Sequence, residues 1–303
     1  MRPRAAATGT AVHITDAAVG SDEWREARRL RINGSEIAAV LGISPFESTF
    51  SLWHRKAGAI SDVESTEVMY WGVQLEPVIR AEWNRRHPDM PVAETGQWAH
   101  RDRLWQGGSP DGIGPGRLWE AKTSRHGDGW GEPGTDQIPV HYRAQVLWYL
   151  DVFGWEHCDL SVLIAGSEYR EYTVAYDTAE VEPMRLKARS FLDSLAAEEP
   201  PPIDGHNATY QAVREMHPDI DPETVELSAA VAVPYLDAVA ACADADTEKR
   251  RCSAELIAVM GRAQHATFNG QRIASRVAPK TDGKPPYLRA VNGATTKHRS
   301  AAA

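Results

Sequence analysis

Residues 109–122 read Ser-Pro-Asp-Gly-Ile-Gly-Pro-Gly-Arg-Leu-Trp-Glu-Ala-Lys, and the fold turns on how this stretch is read. Asp111 stands in a turn, glycine and proline break the chain after it, and a strand follows that carries Glu120 and Lys122. Alternate side chains of a strand share a face, so Leu118, Glu120 and Lys122 point one way, Trp119 and Ala121 the other. Residues two apart on a strand lie about 7 Å apart at Cα. If the Gly-rich turn closes a hairpin, Asp111 returns beside Glu120. Two carboxylates and an ammonium gathered at a strand end suit a metal ion that activates water. Taken alone, Glu-Ala-Lys is more often a surface hairpin with a local salt bridge. The chain on either side changes that weighting.

Upstream, Ser21-Asp22-Glu23 starts a helix with its acids at the positive end of the dipole. The helix runs to about Arg31, and Arg25, Arg28 and Arg29 make it basic. In Asn33-Gly34-Ser35-Glu36 the hydroxyl of Ser35 is placed to cap a helix over residues 36–41, either as an ordinary N-cap or as part of an anion site. A short helix follows near residues 51–58. Residues 66–87 then show helical spacing, with Met69, Val73, Ile79 and Trp83 on an apolar stripe. Glu76 precedes Pro77 in that helix. A proline there predicts a kink that presents Glu76 away from the surface, against the ordinary expectation of a solvated glutamate.

Strands are expected at residues 92–98 and 103–107, and a Gly-rich loop at 124–138. Pro139 opens a helix in which Gln145 is the polar exception among core-type residues, with Tyr149 four residues on along the same face. Strands at 157–165 and 169–176 and a helix at 178–197 follow, and Pro200-Pro201-Pro202 marks a boundary. Residues 228–262 are Ala-rich and helical, as one helix or two. Asn269-Gly270 is a strong hairpin signal within 265–278. The domain reading is a flexible arm over 1–20, a core over 21–204, a helical extension with a β-hairpin over 205–278, and a basic disordered tail over 279–303.

The 303 residues are 42% hydrophobic and 25% charged, values of an ordinary globular chain. No apolar run approaches the roughly 20 residues of a membrane span, and residues 1–20 do not read as a signal peptide. Three widely spaced cysteines, Cys158, Cys242 and Cys252, fit a reducing compartment and are too few for a four-cysteine cluster. The net charge of −9 is unevenly spread. Residues 1–60 hold 8 Lys/Arg against 6 Asp/Glu, residues 265–303 hold 7 against 1, and the middle holds 18 against 35. An acidic centre is compatible with a cation site, and the basic ends are where phosphate contacts would be sought.

Acids at Glu76, Asp111 and Glu120, followed by Lys122 and Gln145 in the order helix, strands, helix, strands, resemble the PD-(D/E)XK nuclease superfamily. More narrowly, residues 21–200 resemble the YqaJ-like viral recombinases of the phage lambda exonuclease family. The residues that carry the likeness are Trp24 and Arg28, Gly34-Ser35-Glu36, Trp71-Gly72, Ser109-Pro110-Asp111-Gly112, Glu120-Ala121-Lys122 and Ala144-Gln145-Val146.

The resemblance implies an α/β fold with a restriction-endonuclease-like core, a central mixed β-sheet flanked by helices, and the C-terminal helical and hairpin extension. It implies Asp111, Glu120 and the backbone carbonyl of Ala121 as metal ligands, with Glu76 helping to hold a second metal or its waters. Lys122 is implied to polarise the attacking water, Gln145 to stand beside the site, and Arg28, Ser35 and Ser109 to hold a 5′-phosphate. The implied activity is a Mg²⁺-dependent exonuclease, with Mn²⁺ as a substitute, working 5′→3′ on double-stranded DNA ends in the cytoplasm of a bacterial or phage-infected cell. A single-strand annealing recombination protein and a ring of identical subunits are the implied partners. An endonuclease or a nuclease of other polarity, and a non-catalytic DNA-end-binding subunit, remain the alternatives. No histidine cluster points to zinc, and oxygen donors suit magnesium.

Overall fold

A computed structural model describes residues 9–18, 20–279 and 283–291. In chain order the first elements are β1 (Ala11–Thr15), α1 (Asp22–Arg29), β2 (Ile32–Asn33), α2 (Gly34–Val40), α3 (Thr49–Lys56) and α4 (Glu67–Arg86). Next come β3 (Gln97–His100), β4 (Arg103–Gly108), β5 (Gly112–Gly114), β6 (Arg117–Ser124), α5 (Val140–Phe153), β7 (His157–Ile164), β8 (Glu168–Ala175), α6 (Thr178–Ala196) and α7 (Asn207–Met216). The last are α8 (Ala229–Met260), β9 (His265–Phe268), β10 (Gln271–Val277) and β11 (Tyr287–Ala290). Local signals account for many of the boundaries. Ser21 Oγ accepts from Trp24 N at the start of α1, Thr66 does the same for α4, and left-handed Gly154 closes α5.

The fold is mixed α/β. The strands of the first unit, Met1–Ile220, form two four-stranded mixed sheets, ordered β1-β3-β4-β2 and β5-β6-β7-β8. β6 and β7 run parallel, so the chain between them must cross over, and it does so through α5. β6 is buried on both faces. Leu118 packs into the main core with Leu147, Leu150, Leu160 and Val162, while Trp119 and Ala121 pack against Ile79 and Trp83 of α4. The alternation read from the sequence is thus the alternation of two cores, one under α5 and the other under α4.

Several expectations need correcting. Residues 11–15, expected within a flexible arm, are β1. The strand pairs antiparallel with β3 and buries Ala11 and Thr15. On α4 only the second half of the stripe is buried: Ile79 and Trp83 are covered, whereas Met69 is 47% and Val73 54% exposed. Ser35 does not cap α2. Asn33 is the N-cap residue, and Ser35 lies one residue inside the helix. The break after Pro202 is not where the first unit ends, because Thr209 of α7 bonds Ser48 Oγ at 2.7 Å and α7 packs on α3.

In the second unit, Asp221–Ala303, residues 229–260 form one helix, α8. The Asn269-Gly270 hairpin is present, with both residues at positive φ. β11 adds a third strand to it inside the stretch expected as a disordered tail. Residues 280–282 and those beyond 291 of that tail, and residues 1–8 and 19 of the arm, lie outside the described residues. Among the described residues no helix is long and apolar enough to cross a membrane.

Trp119 is the largest side chain shared by β6 and the α4 core, fully buried with Nε1 donating to Ser161 Oγ at 3.0 Å. Trp119→Ala should cost about 3–5 kcal/mol of unfolding free energy, read by chemical denaturation. A loss under about 1 kcal/mol would mean that α4 does not depend on this contact.

Candidate active site

Gly112 pairs with Trp119 in the β5–β6 hairpin, which sets Asp111 beside Glu120. Asp111 N donates to Glu120 Oε2 at 3.3 Å, and Ala121 N donates to Asp111 Oδ2 at 2.9 Å. Glu120 is 1% exposed, and its Oε1 accepts from Lys122 Nζ at 2.6 Å and from Gln145 Nε2 at 2.7 Å. Asp111, Glu120, Ala121, Lys122 and Gln145 therefore form one bonded group. It is drawn from a turn, a strand and a helix. The Lys122 ammonium also lies over the Tyr142 ring, 5.1 Å from its centroid.

Glu76 joins through Arg80, one helical turn further along α4. Arg80 Nη1 contacts Glu76 Oε1 at 3.3 Å and donates to the Asp111 carbonyl at 2.9 Å. The spacing of Glu76 and Arg80 was the available signal for Arg80, but an i,i+4 acid–base pair is common on helices and does not single out a site.

Arg28 and Ser35 also meet. Arg28 Nη2 donates to Ser35 Oγ at 2.8 Å, and its guanidinium stacks over Trp24 at 4.6 Å. Ser109 has no hydrogen bond to either, and it lies two residues before Asp111. What ties these loops to the carboxylates is Tyr149. A Cβ at Gly34 would stand 2.2 Å from Tyr149 Cε1, and one at Gly108 2.5 Å from Cδ1, so the ring lies close against both backbones. Gln145 Nε2 donates to Tyr149 Oη at 2.9 Å as well as to Glu120. The i+4 spacing from Gln145 placed Tyr149 on the right face. Its contact with two glycines distant in sequence carried no local signal.

The electrostatics are those of crowded acids. Burial, then the Asp111 charge, pushes the Glu120 carboxyl up to about 8. Burial and Asp111 likewise push Glu76 up to about 7, and burial raises Asp111. Burial opposes the Lys122 charge, but the Glu120 and Asp111 carboxylates outweigh it and hold Lys122 firmly protonated. Burial and the same two acids keep the Tyr149 phenol neutral. Three carboxyls thus share Lys122 and Arg80, and an added cation would let them ionise. Among the described residues no group of three or more His, Cys, Asp or Glu side chains forms a ready metal cage. Two carboxylates with a neighbouring carbonyl are still a hard-oxygen set that fits an ion such as Mg²⁺, which keeps several of its waters.

Residues 23–156, which hold every one of these groups, match the profile of the YqaJ-like viral recombinase domain. A relative over a longer stretch is the protein YqaJ of Bacillus subtilis (strain 168), itself uncharacterized. It is 25% identical over 229 residues, covering 69% of this chain and 67% of that protein. Among solved structures, the alkaline exonuclease LHK-Exo of Laribacter hongkongensis is 22% identical with a TM-score of 0.48, over 59% of this chain and 94% of that one. A phage related exonuclease of Haemophilus somnus 129PT is 10% identical with a TM-score of 0.42, over 55% and 96%.

The raised carboxyls set a pH dependence. A carboxyl with a higher pKa folded than unfolded makes the folded state bind more protons between the two values. Its contribution to stability therefore falls as pH rises from about 4.5 towards 8. In chelator, the melting temperature of the wild type should drop across that window more steeply than that of Glu120→Gln. Mg²⁺ should raise it more at pH 8 than at pH 5, because ligands must be deprotonated. A Mg²⁺ shift independent of pH would remove these carboxyls as ligands.

Proposed function

We propose that this protein is a metal-dependent deoxyribonuclease that digests double-stranded DNA ends in the 5′→3′ direction. The observation that carries the proposal is the Glu120 carboxylate, held in common by Lys122, Gln145 and the Asp111 amide, with the Arg28–Ser35 pair reached through Tyr149. The match of residues 23–156 to the YqaJ-like viral recombinase domain supports it. Hydrolysis joins a water oxygen to phosphorus, breaks the bond to the leaving sugar oxygen and hands that oxygen a proton. Asp111, Glu120 and the Ala121 carbonyl would hold Mg²⁺, or Mn²⁺ in its place, with Glu76 helping to hold a second ion or its waters. Such an ion, when bound, supplies an acidified water and offsets charge on the phosphoryl oxygens.

The chain's own groups do the rest. Lys122, held protonated, offers Nζ–H bonds and a fixed positive charge to the attacking water and the phosphate rather than acting as a base. Gln145 keeps Glu120 oriented. Arg28 offers a planar fork of donors suited to a terminal phosphate, with the Ser35 hydroxyl beside it and Ser109 two residues from Asp111. An end phosphate held there would fix which bond lies at the carboxylates, which is a positioning effect. Single-stranded tails for an annealing partner, a ring of identical subunits and a cytoplasmic site of action belong to this reading.

Asp111→Ala or Glu120→Gln should lower the digestion rate of linear duplex in Mg²⁺ at least about a thousandfold while DNA binding persists. Nicking of closed circles would point instead to an endonuclease, and an inert wild type to an end-binding protein. Wild type should also digest 5′-phosphorylated duplex about 10- to 100-fold faster than 5′-hydroxyl duplex, the worth of one or two charge-assisted hydrogen bonds. Arg28→Ala should erase most of that ratio. Equal wild-type rates on the two ends would sink the 5′-phosphate pocket.

A further inference from the structure

Behind Arg28 and Ser35 lies a buried ionic cluster that the proposed chemistry does not use. Glu36, on α2 and only 3% exposed, is its centre. Its Oε2 is saturated, with Lys56 Nζ at 3.0 Å, Asn33 N at 2.9 Å and Asn33 Nδ2 at 3.0 Å. Its Oε1 faces two guanidinium groups beyond hydrogen-bond range, Arg28 Nη2 at 3.7 Å and Arg55 Nη1 at 4.0 Å. Burial opposes the Glu36 charge, but Lys56, Arg28 and Arg55 together hold the carboxyl down at about 2, so it is ionised at any working pH.

The three cations are committed unequally. Arg55 is spent on Glu47, through Nε at 3.0 Å and Nη2 at 2.7 and 2.9 Å. Lys56 is spent on Glu36 and on two carbonyls, that of Arg31 just past α1 at 2.7 Å and that of Arg28 in its last turn at 3.4 Å. Arg28 gives only Nη2, to Ser35 Oγ. Its Nε and Nη1 donate no hydrogen bond among the described residues. Since Ser35 Oγ accepts from Arg28, its own proton is left for an incoming acceptor. Three cations against Glu36 and Glu47 leave one surplus positive charge, and the open donors place it at Arg28.

The same cluster holds Arg28 from both ends. Its carbonyl accepts from Lys56 and from Asn33 Nδ2 at 3.1 Å, while its guanidinium is drawn to Glu36 and bonded to Ser35. A buried ion pair is a weak source of stability in itself, but it can fix geometry. An arginine already held in its binding rotamer loses less freedom when the ligand arrives. We propose that Glu36 and Lys56 are positioning residues that pre-set the Arg28 guanidinium against the terminal phosphate of a nucleic-acid end. This rests on the end-phosphate reading given above.

The test is steady-state digestion of matched 5′-phosphorylated and 5′-hydroxyl duplexes in Mg²⁺ by wild type, Arg28→Ala, Glu36→Gln, Glu36→Asp and Lys56→Gln. The double variant Glu36→Gln/Lys56→Met removes both charges together, so no lone buried charge threatens folding, which a thermal melt checks. The ratio of the two kcat/KM values should fall at least fivefold in the Glu36→Gln, Lys56→Gln and double variants. The loss should lie in KM for the phosphorylated duplex, and Glu36→Asp should keep part of the ratio. A merely structural role would lower both rates together and leave the ratio intact. A wild-type ratio that Arg28→Ala erases and that every folded Glu36 and Lys56 variant keeps would overturn this inference and leave the end-phosphate pocket standing. A wild type with no ratio at all would overturn both.

Discussion

Glu120 is a carboxylate placed where water barely reaches, and the surrounding structure answers that constraint. A buried acid is tolerated when its oxygens are hydrogen-bonded and its charge is balanced. Here the balance comes from Lys122 on the same strand, Gln145 on α5 and the Asp111 amide across the hairpin. The pairing of β5 with β6, the crossover through α5 and the turn at Asp111 all converge on that one side chain. Glu120 and Asp111 keep Lys122 protonated, and with all three carboxyls ionised the acid side would outweigh Lys122 and Arg80, which leaves room for a further cation.

The two faces of β6 divide the work. One looks to α5 and its core, and there the chain places Glu120 against Gln145 and Tyr149. The other packs Trp119 and Ala121 on α4, which also carries Arg80 to the carbonyl of Asp111 and Glu76 to Arg80. Strand and helix thus fix the carboxyl and ammonium groups through packing that is largely apolar. The Glu36 cluster works differently, by ion pairs that leave a single donor edge open.

Much of this was legible in the chain. The two-residue period of β6, the Gly/Pro turn after Asp111 and the spacing of Gln145 and Tyr149 are local, and local patterns survive folding. The limits of α4, α5, α6, β7 and β8 were likewise readable from caps and periodicity. What escaped was non-local. β1 has no periodic signal of its own and exists because β3 offers a partner. Met69 and Val73 share the helical period of Ile79 and Trp83, but the described chain leaves them about half exposed, so periodicity overstated the buried face. Ser35 looked like a cap because its neighbour Asn33 competes for the same place, and only backbone geometry separates the two. Glu36 and Lys56, twenty residues apart, gave no sign that they would pair.

The ring of Tyr149 lies against Gly34 and Gly108 with no room for a methyl group at either. Positions 34, 108 and 149 are therefore a single steric unit, although they belong to a helix start, a strand end and a second helix. A larger residue at either glycine can be accepted only if the ring at 149 shrinks or leaves, and then the phenol oxygen that meets Gln145 is lost. The sequence is free to drift at these three places only in concert, so exchange at one position alone marks a chain in which the two loops no longer share a common wall.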